Sequence, residues 1–255
     1  MIDSAQVEAA LAYSFRGWLT FPCRPRSKEP LTEHGLKEAT TTPNTIREWW
    51  QRWRQANVAI ALGAVSGIVA LDVDPRHGGD AALDELVEQN GLLPATPHSL
   101  TGGGGHHFLF AHPGGKLKAM YQVADGLELR ADGAYIIAPP SIHPNGHAYA
   151  WEVSEHFEDV LPARLPAWLL AMLRAQRQQE RERPPVPEML GEGQRNLNLA
   201  RMAGAMRRYG MCQEAIESAL SIENERRCVP PLNRDEVVRI ALSISRYEPV
   251  GGRNL

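Results

Sequence analysis

The sequence predicts an α+β domain on a mixed or antiparallel sheet, followed by a small all-α domain, and three observations carry that prediction. Only one clear strand–helix–strand unit occurs, whereas a doubly wound parallel sheet needs that unit to repeat. The later strand-like runs are joined by short turns containing Gly, Pro and Asn, which suit antiparallel neighbours. Past the charged, Pro/Gly-rich stretch RQQERERPPVPEMLGEGQR the periodicity is purely helical. The expected organisation is an α+β domain over 1–176, a linker over 177–195 and a helical domain over 196–255.

Residues 6–15 read as a helix that turns Val7, Ala10, Leu11 and Phe15 inward. Thr42-Pro43 opens a second helix, with Thr42 as cap and proline in the first turn. Its Ile46, Trp49, Trp50 and Trp53 follow an i, i+3, i+4, i+7 spacing, which favours core packing over base stacking. Strands are expected at 58–62, 68–73, 107–110, 127–130, 135–138 and 148–151, with a helix at 80–89. Beyond the linker, helices are expected at 197–208, 213–224 and 235–247. The first has Leu199, Met202, Ala203 and Met206 on one face; the last starts at Asn233 with Glu236 three residues on, a capping-box arrangement.

Bulk properties narrow the functional classes. Hydrophobic residues are 43% and charged residues 22%, ordinary for a globular domain. No apolar run approaches the ~20 residues needed to cross a bilayer, and the first residues lack a signal-peptide pattern, so a cytoplasmic protein with no membrane partner is expected. Cys23, Cys212 and Cys228 form no CxxC pair, which argues against a cysteine zinc site or a disulfide framework. The net charge of −3 is unevenly spread: from Gly193 onward ten arginines face seven acidic residues, leaving −6 for residues 1–192. A mildly basic helical module fits nucleic-acid contact and equally fits a plain helical domain.

The chemistry-bearing residues fall in three places. LDVDP ends an apolar strand, where alternation puts Asp72 and Asp74 on one face, about 6.5–7 Å apart at Cα. Two carboxylates so spaced suit Mg²⁺ or Mn²⁺, while the same residues could also be turn aspartates capping the next helix. TGGGGHH then enters a strand, where glycine backbone N–H groups can approach phosphate and one histidine can reach the same group. His106 and His107 point to opposite faces, so only one serves that site; a flexible hairpin loop is the other reading. Last, Glu128 sits between leucines with Arg130 two residues on, either a ligand and a phosphate contact or an exposed Glu/Arg ladder. The rigid turn APPSIHPNG could position Ser141 and His143.

The order LDVDPRHGG, TGGGGHHFLF, LELRADGAYIIAPPSIHPNGHAYAWE resembles the bifunctional DNA primase/polymerase (Prim-Pol) family of the archaeo-eukaryotic primase superfamily. That family's motifs are an acidic pair, a small-x-His element and a third acidic residue. The upstream RGWLTFPCRPRSKEPLTEHGLKEATTTPNTIREWW, with Lys28 and the His34-Gly35 turn, is similar to the family's N-terminal region, and the segments after the linker resemble a primase C-terminal helical domain. The resemblance implies catalytic roles for Asp72, Asp74, His107 and Glu128, with Asp72, Asp74 and Glu128 holding two Mg²⁺ or Mn²⁺ ions. It implies nucleotide contacts from Lys28, Gly104, Gly105, His107, Arg130, Ser141 and His143, and DNA contacts from Arg201, Arg207, Arg208 and Arg239. Two departures stand out: the third acidic position is more often Asp, and no helicase segment follows.

The expected function is template-directed nucleotidyl transfer on single-stranded DNA, with nucleoside triphosphates as substrates, in plasmid, phage or other mobile-element replication. A separate replicative helicase is the expected protein partner. Two rivals are a metal-dependent nuclease or phosphohydrolase on the same acidic cluster, and a non-catalytic replication-initiation module that binds DNA or a helicase.

Overall fold

The computed structural model describes residues 5–181 and 187–247. The chain divides into two compact units between Gln178 and Gln179. The first is α+β, as expected. In chain order it contains α1 (Ala5–Phe15), β1 (Thr20–Cys23), α2 (Pro43–Arg52), β2 (Asn57–Ala61), β3 (Ile68–Val73), α3 (Gly79–Asn90), β4 (His98–Leu100) and β5 (His106–Ala111). There follow β6 (Met120–Ala124), β7 (Leu127–Arg130), β8 (Tyr135–Ala138), β9 (Ala150–Trp151), β10 (Ala163–Arg164) and α4 (Ala167–Arg181). One sheet runs β1-β2-β8; the other runs β6-β7-β3-β5-β4-β9, with β10 beside β5. All these pairings are antiparallel except β10 on β5.

The sequence of β3, IVALDV, is apolar almost throughout because both of its faces are covered. Ile68 and Ala70 join a core with α1, α2 and the small sheet's Val58, Ile60, Ile136 and Ala138. Val69, Leu71 and Val73 face the other way, onto Leu165, Leu169 and Leu173 near and within α4 and onto Leu83 and Leu86 of α3. Asp72 falls in the Ile68/Ala70 phase, at the end of the strand where that core stops.

The tryptophans of α2 pack rather than stack on solvent. Trp50 is buried and its indole N–H donates to the Ala56 carbonyl at 3.1 Å, while Trp49 and Trp53 lie half-buried against the same core. Thr42 does precede α2, and Pro43 takes its first turn, but the Thr42 hydroxyl makes no capping bond. Phe15, expected inward, is 82% exposed at the end of α1. Tyr13 is buried in its place, its hydroxyl donating to the Pro139 carbonyl at 2.6 Å and its ring packed edge-on against Phe157.

The second unit holds α5 (Arg195–Arg208), α6 (Gln213–Arg227) and α7 (Arg234–Ser245) around Leu199, Ala203, Ile216, Leu220, Val237 and Ala241. Asn233 caps α7 as the sequence suggests, its side-chain oxygen accepting from the Glu236 N–H at 2.9 Å. The expected linker over 177–195 is corrected at both ends. Residues 177–181 finish α4, 182–186 lie outside the described residues, and Leu190 is fully buried in the helical core. Its backbone bonds to Arg227 and Val229 replace the water that burial takes from its polar groups. Among the described residues no helix is long and apolar enough to cross a membrane.

Candidate active site

Antiparallel register builds the floor of the site. Asp72 on β3 stands directly opposite Glu128 on β7 and, on its other side, opposite His107 on β5. The row continues to Gln122 on β6 and Ser99 on β4. Directly opposed side chains share a face, so five polar residues from five strands line up across one side of the sheet. All but the buried Ser99 line a cavity of about 540 Å³, together with Asp74, Arg130, Lys28, His143 and Gly105, among others. Strand pairing thus gathers Asp72, His107, Gln122 and Glu128, and the loops and turns between strands bring Lys28, Asp74, Gly105 and His143 to the same cavity.

Asp72 and Glu128 are like charges on adjacent strands, and such a pair needs a cation nearby. Arg130 supplies one: its Nε donates to Asp72 Oδ2 at 2.7 Å and its Nη2 to Glu128 Oε2 at 3.0 Å. Asp74 is turned elsewhere. Its carboxylate accepts from the Arg76 backbone N–H at 3.1 Å, from the Arg76 guanidinium at 3.0 and 2.8 Å, and lies 3.0 Å from His77 Nδ1. The Arg76 bonds hold its carboxyl well below the usual carboxylate range. Asp74 therefore is the helix-turn cap that the sequence offered as its second reading, while still lining the cavity. Among the described residues no group of three or more His, Cys, Asp or Glu converges as a metal site.

The glycine run closes the hairpin between β4 and β5. Gly105 must be glycine because an added Cβ would lie 2.2 Å from the Val73 carbonyl oxygen, which seats the loop on the end of β3. Gly102 is pressed equally close to His143 and His147, and Asn145 donates to the Gly102 carbonyl at 2.7 Å. The loop thus has its conformation set from two sides. Gly104, by contrast, is exposed at the tip with φ of 87° and does not line the cavity.

Of the two histidines, His107 faces the site and is 5% exposed. Burial pulls it down to about 4, so it is neutral at pH 7 and its 3.6 Å approach to Asp72 is a polar contact rather than an ion pair. Ser99 Oγ lies 3.5 Å from its other nitrogen. His106 is on the opposite face, as alternation requires, 2.9 Å from His98 Nε2.

Lys28 is presented by a loop whose carbonyl accepts from the Tyr135 hydroxyl at 2.8 Å. It lines both the main cavity and a second of about 270 Å³, which also shares Asp72, His107, Arg130 and Tyr149. Ser141 does not reach either. It is fully buried, its hydroxyl accepting from the Val58 N–H at 2.8 Å and tying the 139–146 turn to β2. That bond removes it from the nucleotide-contact set. Sequence reasoning missed Arg76, Gln122, Asp125 and Tyr149, which also line the main cavity. Gln122 was findable only through the register of β6 on β7, and Arg76 through its cap geometry.

In the second unit Arg201, Arg208 and Arg239 are exposed. Arg207 is committed internally, donating to the Tyr247 carbonyl at 2.7 Å and the Met211 carbonyl at 3.2 Å, which ties the end of α5 to the rest of the bundle.

Comparison with known families gives two matches. Residues 10–168, more than half of the chain, match the family model described as bifunctional DNA primase/polymerase, N-terminal. Residues 186–250 match the one described as Primase C terminal 1. No curated protein matches the chain significantly.

Proposed function

The chain belongs to the bifunctional DNA primase/polymerase family, with a primase C-terminal domain behind it, and from that membership we propose a template-directed nucleotidyltransferase that uses divalent metal to make primers or extend strands. Replication of a plasmid, phage or other mobile element, with a separate helicase as partner, is the setting we propose. The observation that carries the reading is the Asp72–Glu128 pair, in direct register at the head of a cavity that also holds His107, Lys28 and the glycine hairpin.

The donor set fits Mg²⁺ or Mn²⁺. Asp72 and Glu128 offer hard oxygens side by side, and their need for a cation is visible in the guanidinium drawn between them. Asp74 would complete the set after giving up its bonds to Arg76. Bound there, the metal would lower the pKa of the attacking 3′-hydroxyl and hold the triphosphate. The protein's own residues do the rest. Lys28 and Arg76 neutralise phosphate charge, His143 lines the same cavity, and neutral His107 donates a ring N–H without crowding Arg130 with a second positive charge. In the helical unit the exposed Arg201, Arg208 and Arg239 are the proposed DNA contacts, which makes template binding salt-sensitive.

The test is a labelled-template assay with and without primer, with ribo- or deoxynucleotides, and with Mg²⁺ or Mn²⁺. Template-dependent lengthening is expected, and Asp72→Ala with Asp74→Ala should abolish it while circular dichroism stays unchanged. Shortening of the labelled strand instead would identify a nuclease. Incorporation that survives the folded double variant would sink the metal assignment.

A further inference from the structure

The geometry points to Arg130 as an internal stand-in for the metal, whose displacement couples metal binding to nucleotide binding; this rests on the nucleotidyltransferase reading above. Arg130 reaches diagonally from its place opposite Ala70 to bridge two carboxylates that face each other across adjacent strands. A guanidinium cannot shed its charge by losing a proton in a protein, so it can only move away. A divalent ion held by Asp72 and Glu128 would meet that fixed positive charge within hydrogen-bond distance of the same two side chains. The ion and the bridging guanidinium therefore oppose each other.

The side chain has somewhere to go. It is 33% exposed and borders both cavities, whose shared wall it forms with Asp72, His107, Lys28 and Tyr149. Swung off the carboxylates, its planar fork suits a phosphate group, the bidentate partner arginine favours. Nucleotide thus draws Arg130 out and frees the acidic pair, while metal drives Arg130 out toward phosphate. By linkage, each ligand then tightens the other by the same factor. Without metal, Arg130 keeps the opposed carboxylates from repelling, so the empty site stays folded in register.

The test uses the full chain, titrated with Mn²⁺ by electron paramagnetic resonance. Titrations run with and without α,β-methylene dATP, corrected for Mn²⁺ held by the nucleotide in solution. In the wild type the nucleotide should tighten Mn²⁺ binding by about tenfold, within the usual range for coupled sites. Arg130→Met should bind Mn²⁺ several-fold more tightly than wild type without nucleotide and gain less from nucleotide, keeping only the part owed to the metal's own contact with the triphosphate. Arg130→Lys, which keeps charge but not the fork, should fall between them and guards against misfolding of the Met variant. In EDTA, Arg130→Met should melt below wild type, with Mn²⁺ restoring more of its melting temperature. If Mn²⁺ binds but Arg130→Met binds it no tighter, or keeps the full nucleotide gain, the coupling role falls and the nucleotidyltransferase reading survives. If neither chain binds Mn²⁺, both fall together.

Discussion

Ser141 illustrates what a single residue in this site can conceal. Its sequence setting, a proline-bounded turn beside His143, reads as a ligand contact, yet its partner is the backbone of β2, 83 positions away. Ser141→Ala leaves the buried Val58 N–H unpaired, and the expected loss of about 1–3 kcal/mol in urea unfolding comes with unchanged nucleotide affinity. A drop in affinity at unchanged stability would restore Ser141 to the nucleotide site. The glycines divide in the same way. Gly105→Ala drives a methyl into the Val73 carbonyl beside Asp72, whereas Gly104→Ala meets open space and carries only the strain of a left-handed backbone, about 1–3 kcal/mol. Gly105→Ala should therefore be the more destabilising of the two in the same unfolding measurement. Strand alternation made Asp72, His107 and Glu128 legible, because a period of two fixes which face a residue takes. Turn residues such as Asp74 and Ser141 have no such period; their partners are chosen by how distant segments come together.

The β4–β5 hairpin shows how an element depends on protonation. His98 and His106 bond across the base of the glycine loop, and His98 also stacks on Phe108 with ring centroids 4.1 Å apart and lies 3.3 Å from Glu155. Burial draws His98 down to about 4, and His107 on the other face likewise to about 4, from an ordinary 6.5. Between those values the unfolded chain binds more protons than the folded one. Stability is thus complete above about 6.5 and is lost as pH falls toward 4. The urea midpoint should drop from pH 7.5 to pH 5, and His98→Gln should flatten part of that slope; an unchanged slope would mean that His98 is not neutral in the folded chain. At this scale β3, β7 and β8 were legible, starting and stopping where the sequence indicates, whereas the 15-residue α4 and the five-residue β6 were not expected. The three-residue β4 and the two-residue β10 were not, since so few residues cannot display a period, and β1 carries a proline that hides a strand.

For the whole molecule, family membership was legible because three motifs recur in a fixed order over the first unit. The sheet order β6-β7-β3-β5-β4-β9, which makes those motifs neighbours, was not, because local patterning says nothing about which strands pair. The same scale sets how the chain should unfold. Among the described residues each unit has apolar clusters of its own, the second built on α5, α6 and α7. A helical unit of about 60 residues buries a smaller share of its surface than a domain three times its length, so its margin is thinner. Calorimetry of the full chain should accordingly resolve two transitions, the helical unit melting first, rather than one two-state event. Leu220→Ala empties a fully buried position in the helical core and should lower only the first, by about 2–5 kcal/mol. Leu109→Ala, at an equally buried position on β5, should lower only the second by a similar amount. One merged transition that both substitutions shift alike would mean that the two cores unfold as a single cooperative body.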